Sequence, residues 1–267
     1  MVLSVLFIVV PTVAAIGAML LIRRRAPEGG LHNMESADGI FSAAGGGLAV
    51  LLAFVIFAVF DSYSNARSAA GQEAVASQQM YSTAGFFPDE ADQLRGETVC
   101  YARAVINLEW PEMQHGRESP VVQDWVDQLD TTSQQAKVVG NGQGAALEHW
   151  LALSQTRQDA RRTRLAEGQA YVPGFVWFVL IMITIIVVAF QCMLADPSSS
   201  AFGQAVAMTS MTATLFAALT MVWVLDRPFN ARGAEISPSR MQASLSVMMH
   251  EPSLPASLPC NAEGTPS

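Results

Sequence analysis

The chain has 267 residues, of which 51% are hydrophobic and only 14% charged, with a formal net charge of −8. A soluble domain carries about 25% charged residues, so the composition excludes an ordinary soluble globular protein. The acidic balance, without a long basic run, excludes nucleic acid as a partner.

The charge deficit is concentrated in four runs that hold no Asp, Glu, Lys or Arg: residues 2–22, 39–60, 173–194 and 202–225. Each reaches the roughly 20 residues that a helix needs to cross about 30 Å of hydrocarbon. One such run fits a buried soluble helix; four predict a membrane protein whose immediate partner is the lipid bilayer. The first run is followed, not preceded, by its positive charges Arg23, Arg24 and Arg25. That order is the reverse of a cleavable secretory signal, so the run is expected to remain as a span.

The second run continues into "DSYSNARSAAGQEAVASQQMY", which contains no Pro and is expected to stay helical to about Tyr81. Pro88 breaks it. A helix over about 89–108 follows, with Leu94, Val99, Ala102, Val105 and Ile106 at helical spacing, and "EWPE" is expected to end it at Pro111. Ser119 and Pro120 suit the N-cap and first turn of the next helix. Residues 140–144, "GNGQG", read as a turn. A last helix over about 145–167 carries Arg157, Arg161, Arg162 and Arg164 towards the third run.

The expected organisation is therefore a first hairpin (1–60), a helical extramembrane region (61–172), a second hairpin (173–225) and a tail (226–267). The end of the tail, "EPSLPASLPCNAEGTPS", has a composition that reads as disordered. Nothing alternates as strands do, so the fold class is all-α: a four-span helical bundle with a helical region between spans two and three.

Lys and Arg placement gives two answers for orientation. The compact cluster Arg23–Arg25 lies in the short loop between the first two runs, which predicts that loop in the cytoplasm. Counting all Lys and Arg near span ends, the other side holds Arg67, Arg157, Arg161, Arg162, Arg164, Arg227, Arg232 and Arg240, and the larger total favours the cytoplasm for the central region. Either way, four spans put both termini on the side of the central region. Cys192 lies inside a span, which leaves Cys100 and Cys260 as the one possible disulfide. The pair would matter only if both faced an oxidising compartment.

No catalytic, cofactor or metal site is expected. His32, His115, His149 and His250 are scattered, no HExxH or CxxC occurs, and no GxSxG, Walker A or GxGxxG run is present. In "NLEWPEMQHG", Glu109 beside His115 is better explained as a helix end. Trp110 serves there as an amphipathic anchor, and Glu109 is expected to pair with an arginine of the last helix, Arg161 or Arg164.

At 100° per residue, Phe54, Phe57, Asp61, Asn65, Ser68 and Gln72 fall in one narrow sector of the second helix. In a symmetric ring of such helices, the two Phe positions would form a hydrophobic constriction that gates by dewetting. The polar positions would line a wider vestibule. In the plainer alternative, the Phe side chains pack in the core or face lipid, and the polar residues mark the exit from the bilayer.

Several short motifs keep a fixed order against the four runs. They are "YSNARSAAGQEA", "LRGETVCYARAVIN", "EWPEMQHG" (Glu109, Trp110, Pro111), "RRTRL" (Arg161, Arg164), "VPGFVW" (Pro173, Trp177) and "LDRPF" (Asp226, Arg227, Pro228, Phe229), with "ISP" after. This order resembles the bacterial bestrophin-like membrane family over residues 39–238. The resemblance implies kinship with bestrophins, pentameric anion channels whose second span lines a narrow neck. It therefore implies a homo-oligomer in the inner membrane that passes small inorganic ions. The bestrophins' full run of neck residues and their acidic calcium-binding cluster have no match here, and Arg23–Arg25 conflict with the orientation the resemblance implies, in which both termini and the central region are cytoplasmic. Two functions follow: an oligomeric, anion-conducting channel lined by the second span, or a non-conducting scaffold that binds a partner through the central helices.

Overall fold

The computed structural model describes residues 2–25, 35–137, 139–194, 200–230 and 234–267. The chain divides into two units. The first comprises the described residues of Met1–Asp61, Ala170–Asp226 and Arg232–Ala234, the second those of Ser62–Gln169, Arg227–Ala231 and Glu235–Ser267.

The first unit holds α1 (Val2–Arg25), the apolar half of α2 (Glu35–Thr83), and, later in the chain, two more long apolar helices, Gly174–Met193 and Ala201–Leu225. All four are long and apolar enough to cross a membrane. Leu48 and Leu52 of α2 are buried against Leu180 and Val187 of the third helix and Leu219 of the fourth. Ala15 and Met19 of α1 pack with Cys192 and Met208. Phe7 meets Phe216 edge-on at 6.2 Å and stacks on Trp223 at 6.4 Å. The loops expected between the paired spans lie largely outside the described residues, as does Arg232 of the tail; Arg24 and Arg25 close α1.

In the second unit, α2 runs on to Thr83. A 3₁₀ turn at Ala84–Phe86 precedes α3 (Ala91–Ala104), a π-helical turn (Val105–Glu109) and α4 (Trp110–Met113). Then come α5 (Pro120–Gln135) and α6 (Asn141–Glu167). The two later membrane helices are α7 and α8, and α9 (Ser239–His250) returns to the second unit. Among the described residues there is no strand, only an isolated bridge between Cys260 and Pro266.

Three expectations are corrected. Pro111 does not stop the helix: the backbone stays helical to Met113. The Trp110 N–H donates to the carbonyl of Val105, five residues back, so one residue is absorbed just before the proline. Pro111 then sits in the first turn of α4, where its missing N–H costs nothing. Residues 141–144 belong to α6 rather than to a turn, because Gly140 alone, at φ +89°, makes the bend. The end of the tail, expected to be disordered, is ordered and covalently tied: Cys260 is bonded to Cys100, 160 residues earlier.

The core of the second unit gathers Met80, Tyr81, Phe87, Tyr101, Trp125, Trp150, Phe229 and Met248. Alanines at 66, 70 and 74 on α2 let neighbouring helices approach closely.

Candidate functional site

In the first unit, Phe54 and Phe57 of α2 are 71% and 72% exposed, so neither packs into the core of its own chain. Asp61, one turn further, is also exposed. In the second unit, Asn65, Ser68 and Gln72 are exposed, and Gln72 Nε2 donates to Ser68 Oγ at 3.3 Å. On the opposite sector of α2, Leu48, Leu52 and Val59 are buried in the first unit, and Ala66, Ala70, Glu73 and Ser77 in the second. Exposure alone does not distinguish Phe54 and Phe57 from the other exposed apolar residues, Phe175, Phe178 and Phe202 among them. Their shared helical register with an exposed polar stripe does.

Glu73 anchors the buried sector. It lies on the side of α2 away from Gln72 and is fully buried. Arg164 Nη2 donates to Glu73 Oε1 at 2.9 Å and to Glu109 Oε2 at 2.6 Å. Arg161 Nη2 donates to Glu109 Oε1 at 2.6 Å, and its Nη1 to Gln123 Oε1 at 2.7 Å. The Tyr101 hydroxyl donates to Glu73 Oε1 at 2.6 Å. Two carboxylates thus face two guanidinium groups, and five elements meet at one buried cluster: α2, α3, the end of the π-helical turn, α5 through Gln123, and α6. The rings around it are aromatic: Arg164 lies over Trp110 at 5.0 Å and Arg157 over Tyr101 at 4.6 Å.

Burial alone would raise the Glu109 carboxyl, but Arg164 and Arg161 outweigh it and hold it below the usual carboxylate range. Arg164 and Arg161 are pushed above the ordinary arginine value despite burial, Arg164 by both glutamates and Arg161 by Glu109. Tyr101 is raised by burial and then by the charge of Glu73, which keeps its hydroxyl protonated as a donor.

Trp110 Nε1 donates to the carbonyl of Ile236 at 3.0 Å, and its ring meets Phe229 edge-on at 5.4 Å. Pro228 accepts from the N–H of Ile236 at 2.8 Å, while Arg227 is exposed. In the first unit, Asp226 Oδ1 accepts from the N–H of Val172 at 2.7 Å, just before Pro173 caps α7, and Trp177 packs against the core around Leu48. His115 contacts the carbonyl of Pro111, away from Glu109, so the two form no pair. Among the described residues no group of His, Cys, Asp and Glu could hold a metal.

Sequence reasoning missed Glu73, Tyr101 and Gln123. A usable signal existed for Glu73: at 100° per residue it shares a sector with Ala66 and Ser77 rather than with the polar stripe.

The bestrophin-like domain model matches residues 9–241. The chain belongs to the bestrophin-like family. Among solved structures it is similar to a single-substitution variant of a bacterial bestrophin homologue from Klebsiella pneumoniae, with TM-score 0.71 and 11% identity over 92% of this chain and 99% of that one. A second variant of the Klebsiella pneumoniae homologue matches with TM-score 0.67 and 12% identity, over 93% and 99%. A crystal structure described only as a membrane protein matches with TM-score 0.64 and 12% identity, over 94% and 100%. No curated protein matches the chain in sequence. At these identities the structural likeness establishes the shared bestrophin-like fold.

Proposed function

We propose that this bestrophin-like chain is one subunit of a homo-oligomeric ion channel in the inner membrane, a pentamer by kinship. In this reading α2 lines the pore. The exposed register of α2 supports it best: two large phenylalanines turned away from their own core, in line with Asp61, Asn65, Ser68 and Gln72. Around an axis, Phe54 and Phe57 form the dewetting constriction and the polar residues a hydrated vestibule. The cluster of Glu73, Glu109, Arg161 and Arg164 grips the opposite face of α2, so the lining helix is held by charge-assisted bonds rather than by apolar contact alone. Both termini share the side of the central helices.

Shortening Phe57 to Ala removes the ring that excludes water. Purified protein in liposomes is expected to pass halide several-fold faster with Phe57→Ala than without it. A monomer whose liposomes stay tight after the substitution contradicts the channel and leaves the scaffold.

The conducted ions are small and inorganic, anions by kinship. A ring of Asp61 carboxylates works against anions. Asp61→Asn is therefore expected to move the reversal potential, in a chloride gradient across a planar bilayer, towards the chloride equilibrium value. An unchanged reversal potential places Asp61 outside the conduction path.

A further inference from the structure

After α9 the chain runs back along one face of α3. Gly96, Cys100 and Ala104 recur one helical turn apart, and each meets a residue of the tail. A Cβ on Gly96 would lie 2.9 Å from Pro259 Cδ, and Cys100 is bonded to Cys260. Gly264, at φ +91°, sits so close to α3 that a Cβ there would collide with the backbone nitrogen of Ala104. Trp125 Nε1 donates to the carbonyl of Gly264 at 2.7 Å, and Arg103 Nη1 to that of Asn261 at 3.1 Å. The loop closes on itself through Asn261 Oδ1, which accepts from the N–H groups of Glu263 and Thr265 at 3.0 Å each. This is a fitted strap with a covalent clasp, and the clasp is buried.

Such bonds persist where thiols are kept oxidised and are rare where cytosolic reductants act. A second, independent feature agrees. Arg23–Arg25 follow the first span in a short connection, the kind of loop on which positive charge sets orientation, whereas long regions translocate largely regardless of charge.

We propose that the second unit and its strap face the oxidising, non-cytoplasmic side of the membrane, with the Arg23–Arg25 loop in the cytoplasm. There the Cys100–Cys260 bond locks the strap onto α3. Locking is thiol–disulfide exchange with a protein disulfide oxidant of that compartment. One cysteine thiolate attacks the oxidant's disulfide, and the second resolves the mixed disulfide. The chain gains one S–S bond, and the oxidant leaves as a dithiol carrying the two protons and two electrons. The side follows the short loop and reverses both the one given by the total count of Lys and Arg and the cytoplasmic one that kinship with bestrophins implies. It stands whether or not the protein conducts.

The test uses the full chain in a bacterial host with an oxidising periplasm. Cells are quenched in acid and the denatured protein is alkylated with a mass-tagged maleimide. One adduct, on Cys192, is expected before reduction and three after it. Separately, Ser246→Cys, on the exposed face of α9, is expected to react with a small membrane-impermeant maleimide in intact cells. Alkaline phosphatase fused after Ser267 is expected to be active, a reading that holds even if the Ser246→Cys chain misfolds. Three adducts without reduction, labelling only after cells are broken, or a silent phosphatase fusion each overturn the proposal.

Discussion

Arg164→Met is expected to destabilise the second unit by about 3–5 kcal/mol, the cost of leaving buried charge without its partner. Arg164 is fully buried and bonds Glu73 and Glu109 at once. Methionine keeps much of the volume over the Trp110 ring but leaves two carboxylates facing each other with Arg161 alone. Thermal unfolding in detergent checks the size of the loss. A pair of further variants checks its cause: adding Glu73→Gln to Arg164→Met should recover part of the stability, because it removes one of the orphaned charges. If the double variant is as unstable as the two single losses added together, the carboxylates were not coupled through Arg164.

The same cluster gives a pH signature. Glu109 is held below its ordinary range, so its folded value lies under its unfolded value of about 4.3. The stability it contributes is complete above the unfolded value and is lost as the pH falls through the folded one. Outside the cluster, Glu97 of α3, bonded to Gln93 and Thr132, works in the opposite sense, since burial raises it and its protonated form favours the fold. Glu109→Gln should therefore flatten the acid-side fall in melting temperature relative to the unsubstituted chain. An unchanged slope would mean that Glu109 is not charged in the folded protein.

The second large effect is expected from Cys260→Ser. Removing a native disulfide from a small domain costs about 2–5 kcal/mol, and the stabilisation grows with the length of chain enclosed. Here the bond joins residues 160 apart. Without it, the polar contacts that hold the residues after α9 are single side-chain hydrogen bonds to their backbone carbonyls, from Trp125, Arg103, Asn107 and Arg95. The C-terminal residues should then become sensitive to protease at temperatures where the unsubstituted chain resists. Equal resistance in both would make the clasp incidental to docking.

The membrane helices were legible because hydrocarbon leaves no choice of residue: a charge-free run of adequate length announces itself. Chemistry also pointed Glu109 at the arginines of α6, since a lone acid near the end of an apolar helix needs a cation. Glu73 gave a weaker sign. An isolated acid among Ala, Ser and Gln reads as solvated, and only its register with Ala66 and Ser77 marks it as buried. Tyr101 carried nothing to distinguish it from a core tyrosine. Pro111 misled because proline forbids a hydrogen bond in a regular α-helix, and the π-helical turn that removes the need for that bond leaves no trace in the sequence. The tail misled for a different reason. Its Pro and Ser content predicts that it cannot order itself, and it does not: it is ordered by Cys100, Ala104 and Trp125, more than a hundred residues away in the chain.

The central claim is that identical copies gather with α2 around a shared passage. Single-particle imaging of the detergent-purified, full-length protein tests it most directly. A closed ring with Phe54 and Phe57 nearest its axis is predicted. A monomer, or a ring whose Phe54 and Phe57 point outward to the acyl chains, would contradict it.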